Sequence, residues 1–238
     1  MTQYIISIII PVLNEAEIIQ SILNELQQYS QVEIIVVDGG SQDNTVALAQ
    51  QTGVKLISVP QKGRAAQMNA GADIARADIL LFLHADTKLP SNFVELVVKT
   101  LEPANVVAGA FELAIDESAS SLRWIELLVK MRSRLFSLPY GDQAIFISKK
   151  AFINSGGFAD LAIMEDFEFI KRIRKQGRIA IVPATVVTSG RRWQELGVWK
   201  TTLINQAIIA GYYLGIPVNK LSNFYRNRGK TKSRKGMM

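Results

Sequence analysis

YIISIIIPVLNE, residues 4–15, is an apolar run that stops on a polar pair. Its Ile-rich pattern over residues 4–13 predicts a strand buried on both faces, as in a parallel sheet. Two further apolar runs, Ile34–Val37 and Ile79–Leu83, lead to Asp38 and, past His84 and Ala85, to Asp86. In an open parallel sheet, ligands sit in the crevice beyond the carboxyl ends of the strands. Asn14, Glu15, Asp38 and Asp86 therefore outline an acidic pocket suited to a cation and the polar parts of a nucleotide.

Outward from that strand, strand and helix signals alternate. Asn14 and Glu17 stand at capping-box spacing, which predicts a helix opening at Asn14. Ile18, Ile22, Leu23 and Leu26 then recur along one face. Val32–Val37, Val54–Val59 and Ile79–Leu83 predict the next strands, with helices over Ala65–Ala75 and Phe93–Leu101. The alternation predicts an α/β layer fold with a mostly parallel sheet. The pattern changes past Pro103. It reads as strand Val106–Leu113, amphipathic helix Ala119–Phe136, strand Ala144–Ser148 and helix Phe167–Gln176, ended by Gly177 at C′. Short strands Ile179–Val182 and Val186–Thr188 flank Pro183. No linker or repeat interrupts the chain, so one domain is expected over 1–225, in two parts (1–103 and 104–200) followed by an apolar helix (201–218). Residues 226–238 form a basic tail.

Composition bounds the function. The chain has 238 residues, 48% of them hydrophobic and 20% charged, enough for a full core. It has no cysteine, which removes disulfide and thiolate-metal chemistry and fits a reducing cytosol. The first residues lack the basic region and cleavage site of a signal peptide, so the expected location is cytoplasmic. The net charge of +6 equals the six positive charges of Arg226, Arg228, Lys230, Lys232, Arg234 and Lys235. Such a tail is either a disordered solubilising end or a segment drawn to an anionic membrane surface. Nucleic acid is not expected, since no basic-aromatic face accompanies it. Thr201–Val218 is too short for a bilayer span and reads as a helix packed on the domain or lying at an interface. That would place the chain peripherally on the inner membrane face and suit a lipid-linked acceptor.

Each candidate motif has a plain structural reading beside its chemical one. Asp38-Gly39-Gly40-Ser41-Gln42-Asp43 lets a ligand approach the backbone, or is an Asx-capped turn. Asp86 is a hard ligand for Mg²⁺ or Mn²⁺ beside a diphosphate. His84, the chain's single histidine, either contacts that ligand or is a satisfied, partly buried side chain. Gly63-Arg64 at a helix start suits phosphate, or is an ordinary helix start with a solvated arginine. Glu165-Asp166 offers a general base and its neighbour, or two acids at a helix N-terminus. Asp142, in Gly141-Asp142-Gln143, is a substrate contact or a turn. Arg191-Arg192-Trp193 suits a diphosphate or a sugar face, or is a surface pair beside a core aromatic.

The order of these pieces resembles the family-2 glycosyltransferases of the GT-A fold. The resemblance rests on Pro11–Glu15, Val37–Thr45, Gly63–Asn69, Leu83–Asp86 and Glu165-Asp166, and covers residues 4 to about 195. His84–Thr87, Gly141–Gln143 and Arg191–Trp193 together are similar to a small bacterial subgroup of unassigned substrate. The resemblance implies a GT-A-like three-layer sandwich: a Rossmann-like nucleotide-sugar-binding half (1–103) and an acceptor and catalytic half (104–200). It implies inverting, hexosyltransferase-type transfer from a nucleoside diphosphate sugar, most often UDP-linked in the family, to an acceptor hydroxyl, with Mg²⁺ or Mn²⁺. By the same resemblance, Pro11, Asn14, Glu15, Asp38, Gly39, Ser41, Asp43, Gly63, Arg64, Asn69, His84 and Ala85 would serve the nucleotide and donor. Asp86 would hold the metal. Asp142, Arg191, Arg192 and Trp193 would meet diphosphate or acceptor, and Asp166 would be the base beside Glu165. His84 departs from the family, replacing the first Asp of its Asp-x-Asp motif. Two rivals remain: a nucleotidyltransferase, disfavoured by Asn14-Glu15 where a Gly-rich basic loop belongs, and a non-catalytic nucleotide-sugar-binding or membrane-associated scaffold.

Overall fold

The computed structural model describes residues 4–60, 63–116, 120–191 and 197–229. Strand β1 (Ile6–Val12) pairs in parallel with β2 (Val32–Asp38) on one side and β4 (Ile79–Phe82) on the other. β3 (Lys55–Ser58) extends the parallel part beyond β2. Past β4, the sheet continues through β7 (Phe146–Ser148), β6 (Val106–Asp116), β8 (Arg178–Ser189) and β5 (Thr87–Lys88). β6 and β8 run parallel, while the pairings β4–β7, β7–β6 and β8–β5 are antiparallel. The order β3-β2-β1-β4-β7-β6-β8-β5 makes one eight-stranded sheet among the described residues.

The apolar run that opens the chain explains its central place. Ile6, Ile8 and Ile10 pack into the core on one face, and Ile9 into the core on the other, all fully buried. Each such side chain contributes about 1.5–3 kcal/mol on burial. One face is covered by α1 (Ile19–Leu26), α2 (Thr45–Gln51) and α4 (Phe93–Leu101). The other carries α3 (Gly63–Ile74), α6 (Lys149–Asn154) and α7 (Glu165–Ile173). The result is the expected α/β three-layer arrangement. Helix α5 (Ser120–Phe136) leans on β6 through Leu122 and Ile125. Two C-terminal helices, α8 (Val198–Tyr213) and α9 (Val218–Gly229), pair around Ile204, Ile208 and Leu221.

Four local expectations are corrected. Asn14 does not cap a helix: it is left-handed (φ 57°), and α1 begins at Ile19 with no side-chain cap. The Asn14 side chain instead accepts the Gln42 N–H at 2.8 Å, a tertiary bond that displaces the local box. α7 ends at Ile173, short of Gly177. Gly177 serves a close approach, since a Cβ there would lie 2.9 Å from the Asn105 carbonyl oxygen. The two short strands around Pro183 are one strand, β8. Its register with β6 jumps from Phe111↔Val182 to Glu112↔Thr185. Pro183 thus lies in a bulge, where its missing N–H breaks no ladder bond. The apolar helix ends at Tyr213, and Gly215 (φ 76°) turns the chain into α9, which runs on to Gly229.

Candidate active site

From β1 the chain steps outward to β2 and β3 on one side and then crosses back to β4 on the other, so the β1–β4 junction is the topological switch point where an open sheet leaves a crevice. The loop after β1 brings Asn14 and Glu15 there, and the segment after β4 brings His84 and Asp86. A cavity of about 500 Å³ opens at this edge, within the usual size of small-molecule sites. It gathers nine residues singled out in the sequence: Asn14, Glu15, Arg64, His84, Asp86, Asp142, Glu165, Asp166 and Arg191.

Other candidates stand behind the cavity. Asp38 is buried, and its carboxylate accepts the backbone N–H groups of Gly40 (2.9 Å) and Ser41 (3.1 Å). Ser41 Oγ accepts the Asn14 amide at 2.9 Å, and Asp43 Oδ2 accepts that of Ala16 at 3.2 Å. Thr45 Oγ1 accepts the Glu15 amide at 2.8 Å. Gly39 donates its N–H to the Val12 carbonyl at 2.9 Å. These bonds staple the loops after β1 and β2 to one another and hold Asn14 and Glu15 in place. Gln67 completes the staple from α3, donating to the carbonyls of Val12 (2.9 Å) and Val37 (2.7 Å). Asn69 holds Phe158 by both its backbone groups at 2.9 Å. Pro11 lies beyond the register that β1 shares with β4. Gly63 starts α3 with φ 79°, and Ala85 packs into the core. Arg192 and Trp193 lie outside the described residues.

Two arginines span the cavity. Arg64 donates from Nε to Glu165 at 3.0 Å and from Nη1 to His84 Nε2 at 3.0 Å. A guanidinium only donates, so Nε2 is the unprotonated ring nitrogen. Burial, then the nearby Arg64 charge, pushes the His84 pKa down to about 3, which keeps the ring neutral at ordinary pH. Burial also raises the Glu165 carboxyl, with Arg64 opposing and the Asp166 charge adding. Arg191 pairs with Glu15 at 3.1 Å and lies 3.8 Å from Asp86 Oδ2. Among the described residues, Asp86 Oδ1 has only long contacts, 3.4 Å to Thr87 and 3.5 Å to Thr188.

The far wall is the 3₁₀ turn Gly141–Gln143 facing the start of α7. The buried Gln143 anchors it, accepting from Ser133 (2.9 Å), Arg132 (3.1 Å) and the Tyr140 amide (3.2 Å), and donating to the Phe111 carbonyl (2.7 Å). So held, the Gly141 N–H donates to Asp166 Oδ2 at 2.7 Å. A Cβ on Gly141 would meet that oxygen at 3.1 Å and His84 Nε2 at 3.2 Å. Asp166 and His84, from different elements, thus converge on one small space beside Gly141. Among the described residues, Asp142 Oδ1 is closed to solvent with no hydrogen-bond partner. Sequence reading missed Tyr140, Met164, Thr188, Ser189, Asn205, Ile208 and Tyr225, which also line the cavity.

Comparison with known proteins fits this geometry. Residues 7–160 match the model of the family described as glycosyl transferase family 2. The glycosyltransferase AglE of Haloferax volcanii is 33% identical over 141 residues, 54% of this chain and 46% of that protein. The chain spans less than half the length of the first curated relatives it matches. Two solved structures share the GT-A fold. The mannosyltransferase PcManGT from Pyrobaculum calidifontis, in complex with GDP-Man and Mn²⁺, has a TM-score of 0.63 at 20% identity, over 78% of this chain and 56% of that one. Glucosyl-3-phosphoglycerate synthase from Mycobacterium tuberculosis, with Mn²⁺, UDP and glucosyl-3-phosphoglycerate, has a TM-score of 0.62 at 21% identity, over 90% and 81%.

Proposed function

The chain belongs to glycosyl transferase family 2, and from that premise we propose that its cavity moves a glycosyl group from a nucleoside diphosphate sugar, UDP-linked by preference, to an acceptor hydroxyl with inversion. One observation carries the reading: the Asp166 carboxylate on α7 and the guanidinium groups of Arg64 on α3 and Arg191 after β8 line the same cavity.

In the reaction, the acceptor oxygen bonds to the anomeric carbon as the bond from that carbon to the phosphate oxygen breaks. The electron pair leaves with the diphosphate, and the acceptor proton passes to Asp166. An alcohol is a weak nucleophile until a positioned base takes its proton. The Gly141 and Phe167 amides fix the two Asp166 oxygens at 2.7 Å each, and each oxygen keeps a further lone pair for that proton. Arg64 and Arg191 meet the charge that develops on the leaving diphosphate.

A divalent cation fits beside Asp86. Its Oδ1 is a hard donor with only long hydroxyl contacts, and Mg²⁺-type ions are commonly held by one or two carboxylates plus substrate phosphates. Among the described residues no cluster of three acids or histidines surrounds it, so the diphosphate must contribute ligands. Bound there, Mg²⁺ or Mn²⁺ would add positive charge against the leaving group.

Thermal-shift measurements with UDP, GDP, dTDP and CDP, each with and without Mn²⁺, test the reading. A ligand that binds only the folded chain raises its melting temperature. One nucleotide is expected to do so in a Mn²⁺-dependent way, with the shift lost in Asp86→Asn. Asp166→Asn should keep the shift and lose about 10²–10⁴-fold in turnover. No shift with any nucleotide would sink the proposal.

A further inference from the structure

Helix α5 is apolar on two sides. Leu122 and Ile125 face the core, while Trp124, Leu127, Leu128 and Met131 recur at helical spacing on the outside. Trp124 is 66% exposed and Leu128 59%. The C-terminal hairpin repeats the pattern. α8 buries Ile204 and Ile208 and gives Asn205, Ile208 and Ile209 to the cavity. Its outer side carries Leu203 and Tyr213, and Leu214 and Ile216 continue the exposed apolar run through the turn. Leu203 is 69% exposed and Leu214 81%.

The segment just past α5 and the end of α8 meet at one wall of the cavity. Tyr140, just past α5, meets the Phe167 ring edge-on at 6.0 Å, and Phe167 meets exposed Tyr213 at 5.8 Å. In the sequence, positive charge follows the second stripe. From Lys220 to the end, the chain holds seven Lys and Arg (Lys220, Arg226, Arg228, Lys230, Lys232, Arg234 and Lys235) and no acid.

Exposed apolar stripes at this density mark a docking surface. A second copy of the chain would bring like-charged segments together, which opposes self-association. A bilayer with anionic headgroups satisfies both features: Leu, Trp and Tyr side chains enter the interface, and Lys and Arg meet the headgroups. We propose that the outer faces of α5 and of the α8–α9 hairpin rest on an anionic membrane surface, with the cavity beside the headgroups. Only the corollary, that the acceptor is carried by a lipid, rests on the transferase reading.

Co-sedimentation of the full chain with vesicles of phosphatidylcholine alone, or mixed with phosphatidylglycerol, tests this surface. The chain should bind the mixed vesicles, less tightly as salt screens the charges. The pairs Leu214→Asp with Ile216→Asp, and Trp124→Ser with Leu128→Ser, should each weaken binding about tenfold or more, since each removes apolar area that enters the interface. These side chains are exposed, so melting temperature and nucleotide-induced shift should stay as in the parent. Failure to bind either vesicle overturns the proposal. So does binding that both variants leave intact, which would assign attachment to the charges alone. A lipid-free dimer in light scattering, dissolved by the same variants, would assign the face to a second copy instead. A retained nucleotide shift beside failed vesicle binding removes the surface and leaves the transferase reading standing.

Discussion

Asp142 sits with one oxygen closed to solvent and unpartnered, near Arg132, Asp166, Arg64 and Tyr140. Burial lifts its carboxyl from the usual 3.8 to about 6; Arg132 opposes this and the Asp166 charge adds to it. Below about pH 3, folded and unfolded chains both hold the proton, and the site costs nothing. Between the usual 3.8 and about 6 the unfolded chain ionises while the folded chain keeps the proton, so the folded state loses stability as pH rises, by up to about 3 kcal/mol above pH 6. Asp142→Asn is therefore expected to melt higher than the parent at about pH 8, with the difference shrinking below pH 6 and closing near pH 3. Melting curves of both proteins across that range check it, and a constant difference would refute the assignment. The same side chain shows what the sequence conveys about a site. A rule about strand ends found Asn14, Glu15 and Asp86, and applied to β8 it would have found Thr188 and Ser189 as well. The rule is blind to what an acid does once placed. Both Asp38 oxygens are taken up by the amides of their own turn, whereas Asp86 keeps an oxygen with only long contacts. Tyr140, Asn205 and Tyr225 carry no motif, because their nearness is set by the path of the whole chain.

Elements were legible where one face decides the pattern. The strands β1, β2 and β4 follow from continuous apolar runs, and α1 and α4 from their apolar stripes. Boundaries failed where a tertiary bond replaced a local one, as at Asn14, or where two strands merged through a bulge, as at Pro183. α3 is the least patterned of these elements, since Ala, Gly and polar residues give it no strong stripe. Its position comes from close approach. A Cβ on Gly71 would lie 2.5 Å from Ile9 Cγ2 and 3.1 Å from Val37 Cγ2, both on fully buried strand residues. Gly71→Ala would gain about 1 kcal/mol of helix propensity and lose about 1–3 kcal/mol to overpacking. The expected outcome is a net loss of stability of up to about 2 kcal/mol, read from denaturant midpoints. A more stable variant would mean that α3 can lift from the sheet without penalty.

At the scale of the whole molecule, the cavity joins parts of unequal rigidity. Its sheet side belongs to the two large cores, where Ile6, Ile8, Ile9 and Phe146 are fully buried. Its outer wall is the α8–α9 hairpin, which has a separate small core of Ile204, Ile208 and Leu221, with Ile163 and Met164 packed against it. Met164 holds a left-handed conformation (φ 68°) directly before Glu165 and Asp166. Such a backbone persists only where its surroundings constrain it, and the hairpin provides part of that constraint. Segments with few buried contacts open locally, below the global unfolding free energy. Ile208→Ala should therefore act locally. A large-to-small change in a packed site costs about 2–5 kcal/mol, more than a three-residue satellite core readily absorbs. Amide exchange across residues 198–229 should rise, while exchange in β1 and β2 stays unchanged. The nucleotide-dependent thermal shift should persist, because Asn14, Glu15 and Asp86 sit on the sheet side. Turnover should fall with the loosened Asp166 wall. If exchange instead rose uniformly through the sheet, the hairpin and the cores would be one cooperative unit.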